Sequence, residues 1–156
     1  MNTEKYWQKG QTIIETALVI ILLFIFFFGI AEIARAWWLK NQLNNAVRVG
    51  VRVAVVTSDI KDETVIYPAT GSTENQPVFT AIWNSITSGA LQNSDTKATL
   101  DVDENSNGIS ELNSGDTITV TVVGNFNSVV PNLSSLSFGL IPNNITLTTD
   151  ASMRYE

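Results

Sequence analysis

The sequence predicts an α+β chain: a long N-terminal helix, transmembrane then amphipathic, packed on a small antiparallel β-sheet head with one short helix. Three observations carry this. Ala17 to Ala31 is an unbroken apolar run. The residues after it keep a three- and four-residue apolar spacing. The second half of the chain holds segments in which apolar and polar residues alternate strictly.

The apolar run alone is about 22 Å long as a helix, at 1.5 Å per residue. A bilayer core asks for about 20 residues. Extension from Ile13 to Ala34 reaches that length but takes in Glu15 and Glu32, and Trp37 and Trp38 then fall where an interfacial aromatic belt sits. Leu39, Leu43, Ala46, Gly50 and Val53 continue as a stripe, with Asn41, Asn45, Arg48 and Arg52 opposite. No Pro interrupts before Pro68. One helix from Thr12 to Val56 is expected. Its stripe needs a partner, either the chain's own body or another protein's helix.

The segment admits three readings. A cleaved secretory signal fits poorly, because the run leads into Glu32, Arg35 and two Trp rather than a small-residue site. A plain signal anchor is the second. The third rests on a resemblance described below.

Thr57 to Gln76 reads as a loop with a short strand at Thr64–Tyr67. Pro77 to Gly89 reads as a helix, with Pro at the start and Gly as the stop; Val78, Ile82 and Ile86 share a face with Phe79 and Trp83 beside it. Ala98–Val102, Thr117–Asn125 and Asn144–Tyr155 read as strands of an antiparallel sheet with one covered face. Gly124 to Pro142 reads as a long loop whose apolar tip, Leu136, Phe138, Leu140 and Ile141, either tucks into the core or rests on a membrane or partner.

Composition narrows the chemistry. The 156 residues include no Cys and no His. That removes thiol nucleophiles, zinc–thiolate sites, disulfides and the usual general base. No nucleophile–base constellation stands out, and no enzymatic activity is expected. The net charge of −6 is uneven: after Val56 only Lys61, Lys97 and Arg154 are basic, against twelve acids. Without a basic patch, nucleic acid is not an expected partner.

One segment has the form of a metal loop. Asp103-x-Asn105-x-Asn107-Gly108 matches the opening of a calcium loop, in which alternating oxygens face one ion and Gly allows the sharp turn. The bidentate Glu expected at the twelfth position is Ser114, so Glu111 or Asp116 would substitute. Calcium bound by Asp103, Asn105, Asn107 and Glu111 is one expectation. A plain Asn-Gly turn in an acidic loop is the other. No other cofactor is expected.

Lys9-Gly10 followed by Gln11-Thr12-Ile13-Ile14-Glu15 resembles the processing site of type IV prepilins. Glu32, Arg35 and Trp37, the run from Asn44 to Arg52, and the ending Ile145 to Glu156 look like the TadE family of minor pseudopilins of tight-adherence (Tad, or Flp) pilus systems. The likeness covers the helix well, the tail moderately, and Thr57 to Asn144 not at all.

The resemblance implies a pilin-like organisation: leader 1–10, transmembrane half of the helix 11–36, amphipathic half 37–56, and extracytoplasmic α+β head 57–156. It implies cleavage by a prepilin peptidase between Gly10 and Gln11, and an inner-membrane, single-pass protein that joins or supports a pilus. The other implied partners are pilins and pseudopilins, the inner-membrane assembly platform and the lipid bilayer. Glu15, fifth in the mature chain, would meet the N-terminal ammonium of a neighbouring subunit and set axial register. An opposite charge nearby offsets the cost of burying a carboxylate. The plainer reading is a Glu15 solvated at headgroup level. The Lys/Arg balance opposes the implied topology: Lys5 and Lys9 precede the span, whereas Arg35, Lys40, Arg48 and Arg52 follow it. A single-pass anchored binding module with an acidic, calcium-dependent head is the alternative.

Overall fold

The structure is a computed structural model and describes residues 4–103, 114–128, 133–136, 139 and 142–155. Its elements in chain order are α1 (Glu4–Ala54), β1 (Glu63–Ile66), α2 (Gln76–Ser85), β2 (Lys97–Asp103), β3 (Thr117–Asn127), α3 (Leu133–Leu136) and β4 (Asn144–Arg154). The expected α+β class is observed. The chain forms two compact units: Met1–Arg35 with Ser128–Asn143, and Ala36–Asn127 with Asn144–Glu156.

In the second unit the strands form one antiparallel sheet in the order β1-β2-β3-β4. Period-two patterning puts Ala98, Leu100 and Val102 of β2 and Ile118, Val120, Val122 and Phe126 of β3 on the buried face. The α1 stripe lies in the same core: Leu39, Leu43, Ala46, Val47, Val51 and Ala54 are buried, whereas Asn41, Asn45, Arg48 and Arg52 are exposed. The partner of that stripe is therefore the chain's own body.

Two glycines allow the close approach. A Cβ on Gly50 of α1 would stand 2.6 Å from Ile82 Cγ1 and 3.4 Å from Val120 Cγ1. One on Gly124 of β3 would stand 2.7 Å from Leu91 Cδ2 and 3.4 Å from Leu43 Cδ1. Both approaches are under 3 Å, so the side chains of Ile82 and Leu91 occupy the space a Cβ would need at these two positions.

Several expected boundaries move. The long helix begins at Glu4 rather than Thr12, because nothing between them breaks a helix; Gly10 is tolerated. It ends at Ala54, where Val56 and Thr57 close a tighter turn on Val53 and Ala54. The second helix stops at Ser85, not Gly89: Ile86 turns extended, and the Ser88 carbonyl accepts from Leu91 and Gln92 in a separate turn. β1 is Glu63–Ile66 rather than Thr64–Tyr67, and β3 continues two residues past Asn125 because Phe126 still has core to fill. Its last partners are Ile145 and Asn144 of β4. That strand is one residue shorter than expected. The apolar loop residues Phe138, Leu140 and Ile141 lie outside the described residues.

Candidate functional site

The residues of interest lie on the first part of α1. From Gly10 to Phe24 every residue is exposed, and the consecutive Val19, Ile20, Ile21, Leu22 and Leu23 present apolar surface all round the helix. A water-soluble chain rarely leaves a contiguous apolar surface of this extent uncovered. The helix is long and apolar enough to cross a membrane. Thr16 is satisfied internally, donating its hydroxyl to the Thr12 carbonyl at 2.8 Å, which suits a polar residue in an apolar setting. Phe24 and Phe28 stack one turn apart at 6.3 Å.

Gly10, Gln11 and Glu15 are brought together by the helix itself, with Gln11 and Glu15 one turn apart on one side. All three are exposed. Nothing lies within 4 Å of where a Gly10 Cβ would sit, so packing does not demand glycine there. Glycine in a helix interior costs about 1 kcal/mol against alanine, and the fold gives no return for it. Glu15 makes no hydrogen bond or ion pair among the described residues.

Glu32 contrasts with Glu15. It is 4% exposed. Its Oε2 accepts from Arg35 Nη1 at 3.5 Å, and its Oε1 accepts from Ser128 Oγ at 3.2 Å. Burying polar oxygens is costly unless they are hydrogen-bonded, and these partners supply the bonds. The contact ties α1 to the start of the segment that carries α3. There Ser128 donates its N–H to the Asn143 carbonyl, and Asn143 Oδ1 accepts from the Ser134 N–H. The sequence marks Glu32 and Arg35 only through a family likeness; Ser128, 96 residues away, carries no signal of its own. Trp37 and Trp38 follow on the same helix, both exposed.

The acidic loop gives less. Asp103 is the last residue of β2, while Asn105, Asn107 and Glu111 lie outside the described residues. Asp116 is buried beside the start of β3. Among the described residues no three acidic side chains gather as metal ligands.

A polar knot in the head has no warning in the sequence. Glu63 accepts from the Ser72 N–H at 2.9 and 3.0 Å, from the Ser72 hydroxyl at 2.9 Å and from Asn75 Nδ2 at 2.7 Å. Asn75 also bonds both backbone groups of Lys61. Burial pushes the Glu63 carboxyl up, but the three donor groups outweigh it together and hold it below the ordinary carboxylate range. The knot fixes the loop between β1 and α2 and is structural.

The TadE-like protein family matches residues 10–52, a stretch that opens on Gly10 and runs through Glu15, Glu32, Arg35 and Arg52. Over that stretch the helix is similar to the TadE-like family. No curated protein and no solved structure matches the chain. The TadE-like segment joins the two halves described above: the exposed apolar helix, and the stripe that fills the head core.

Proposed function

We propose that this TadE-like protein is a minor pseudopilin, a structural component of a Tad-type pilus system rather than an enzyme. In this reading a prepilin peptidase cuts between Gly10 and Gln11. The new chain is held in the inner membrane by the first part of α1, with its head extracytoplasmic. The observation that carries the proposal is the pairing of an exposed, largely apolar helix surface with a carboxylate, Glu15, that has no partner among the described residues and lies one turn from Gln11. Cleavage frees an ammonium at Gln11. A neighbouring subunit's ammonium then supplies the counter-charge that Glu15 lacks among the described residues, and so sets axial register between subunits. Gly10 fits the same reading, because no contact among the described residues requires a glycine there.

Mass spectrometry of the protein produced with and without its prepilin peptidase tests this. A mature mass beginning at Gln11 only when the peptidase is present is the expected result. An intact N-terminus in both cases overturns it and favours a single-pass anchored binding module. The Lys/Arg balance around the span calls for a separate test of topology, protease digestion of intact spheroplasts. The head is expected to be degraded.

A further inference from the structure

The two edges of the sheet are built differently. β1 is four residues long, and its Glu63 is bonded to Ser72 and Asn75 of the loop that follows. β4 is eleven residues long and pairs with β3 in unbroken register from Thr117↔Arg154 to Asn127↔Asn144. It contains no Pro, no Gly, no Lys and no bulge. Among the described residues no strand pairs with its second edge. Edges of this length are ordinarily blunted by one of those devices, since their open N–H and C=O groups template further pairing. The inner face is also incompletely covered here. Ile118, Val120 and Val122 of β3 are fully buried, whereas Ile145, Leu147 and Ala151 of β4 are half-buried and Met153 is 41% exposed.

We propose that the open edge of β4 pairs antiparallel with β4 of a second copy of this chain, about a two-fold axis through Ser152. The outward-facing residues choose both occupant and register. Thr146, Thr148, Asp150, Ser152 and Arg154 are all exposed. With Ser152 opposite Ser152, each Asp150 stands opposite the other copy's Arg154, and Ala151 stands opposite Met153 on the inner face. Opposite charges directly across a strand pair stabilise it, and like charges oppose it. A two-fold centred on Asp150 or on Arg154 sets like charges against each other, and a parallel in-register pair does so twice. Asp150 has no hydrogen bond or ion pair among the described residues, and Arg154 uses one N–H, to the Gly115 carbonyl at 3.2 Å. In this register residues 150–154 of the two strands overlap, and the main-chain bonds of that overlap supply the affinity, as in other strand additions. The contact is isologous, so it closes at two copies and does not propagate as a filament contact does.

The chain has no Cys, so Ser152→Cys introduces the only thiol. The full-length protein in detergent micelles is treated with a short bis-maleimide. Ser152→Cys is expected to give a cross-linked dimer. Thr146→Cys is not, since in this register the two copies of that position lie about 40 Å apart. Adding Asp150→Arg, or Arg154→Asp, to S152C is expected to cut the cross-linked yield about fivefold or more, and combining the two exchanges is expected to restore it. Thermal unfolding of each variant shows that the exposed substitutions leave the head folded. A Ser152→Cys yield no higher than that of Thr146→Cys overturns the proposal, as does a yield that ignores the charge exchange.

Discussion

Thr149, on β4, donates its hydroxyl to the side-chain carbonyl of Asn44, on α1, 105 residues away. Thr149 is buried on the same face of β4 as Leu147 and Ala151. The bond places a polar contact between helix and edge strand, beside the half-buried Leu147 and Ala151. Replacing Thr149 with Val leaves Asn44 without that donor and should cost about 1–2 kcal/mol in chemical denaturation. Asn44→Leu combined with Thr149→Val should cost less than the two single changes together, because neither polar group is then left alone. Strict additivity in the double-mutant cycle would count against the pairing.

Gly50 and Ile82 set the distance between α1 and α2. A Gly50→Val side chain has to enter space held by the fully buried Ile82, 2.6 Å from where its Cβ would sit. We expect a loss of about 2 kcal/mol or more from overpacking. Shortening the neighbour with Ile82→Ala should make the combined loss smaller than the sum. Denaturation midpoints of the four proteins check this.

Glu63 gives the head an acid-sensitive element. Its folded-state pKa lies below the value of an unfolded chain, near 4.3 for a free glutamate. The unfolded chain therefore takes up the proton first as pH falls. The stability this group contributes is complete above the unfolded value and disappears as pH drops through the lower folded value. Glu63→Gln should flatten that acid limb, which melting temperatures between neutral pH and about pH 3 would reveal. Gly71 supports the site: at φ 72°, a Cβ there would lie 2.7 Å from Glu63 Oε2, so Gly71→Ala should disturb the same knot.

Glu15→Ala should leave the protein in the membrane fraction, since the apolar surface around it is unchanged, and should abolish pilus assembly. Fractionation and recovery of sheared pili measure the two separately. Normal pilus yield from that variant would remove the register role proposed for Glu15.

Much of this architecture is legible in the chain because it repeats. The three- and four-residue spacing that begins at Leu39 identifies the buried side of α1, and the exposed Asn41, Asn45, Arg48 and Arg52 follow from the same period. Alternation of Ile118, Val120 and Val122 with threonines places β3, and Val78 and Ile82, with Phe79 and Trp83 beside them, place the core face of α2. The contacts that finish the structure have no such period. Gly89 reads as a helix stop, yet α2 ends earlier, and the turn after it is held by Gln42 of α1, whose Oε1 accepts from the Ser88 N–H and whose Nε2 donates to Thr87. Sequence spacing cannot report a bond between residues 46 positions apart.

Taken alone, the linear order of residues dictates an apolar helix surface around a glycine, a glutamine and a glutamate, a one-sided continuation of that helix, and an alternating sheet to receive it. These follow from local periodicity and from the cost of leaving apolar groups in water. That Glu32 is held by Ser128, that Asn44 meets Thr149, and that β4 is left as a long, half-covered edge emerge only once the chain is folded. Each of these depends on which distant backbones approach closely enough to touch, and that is fixed by the packed core.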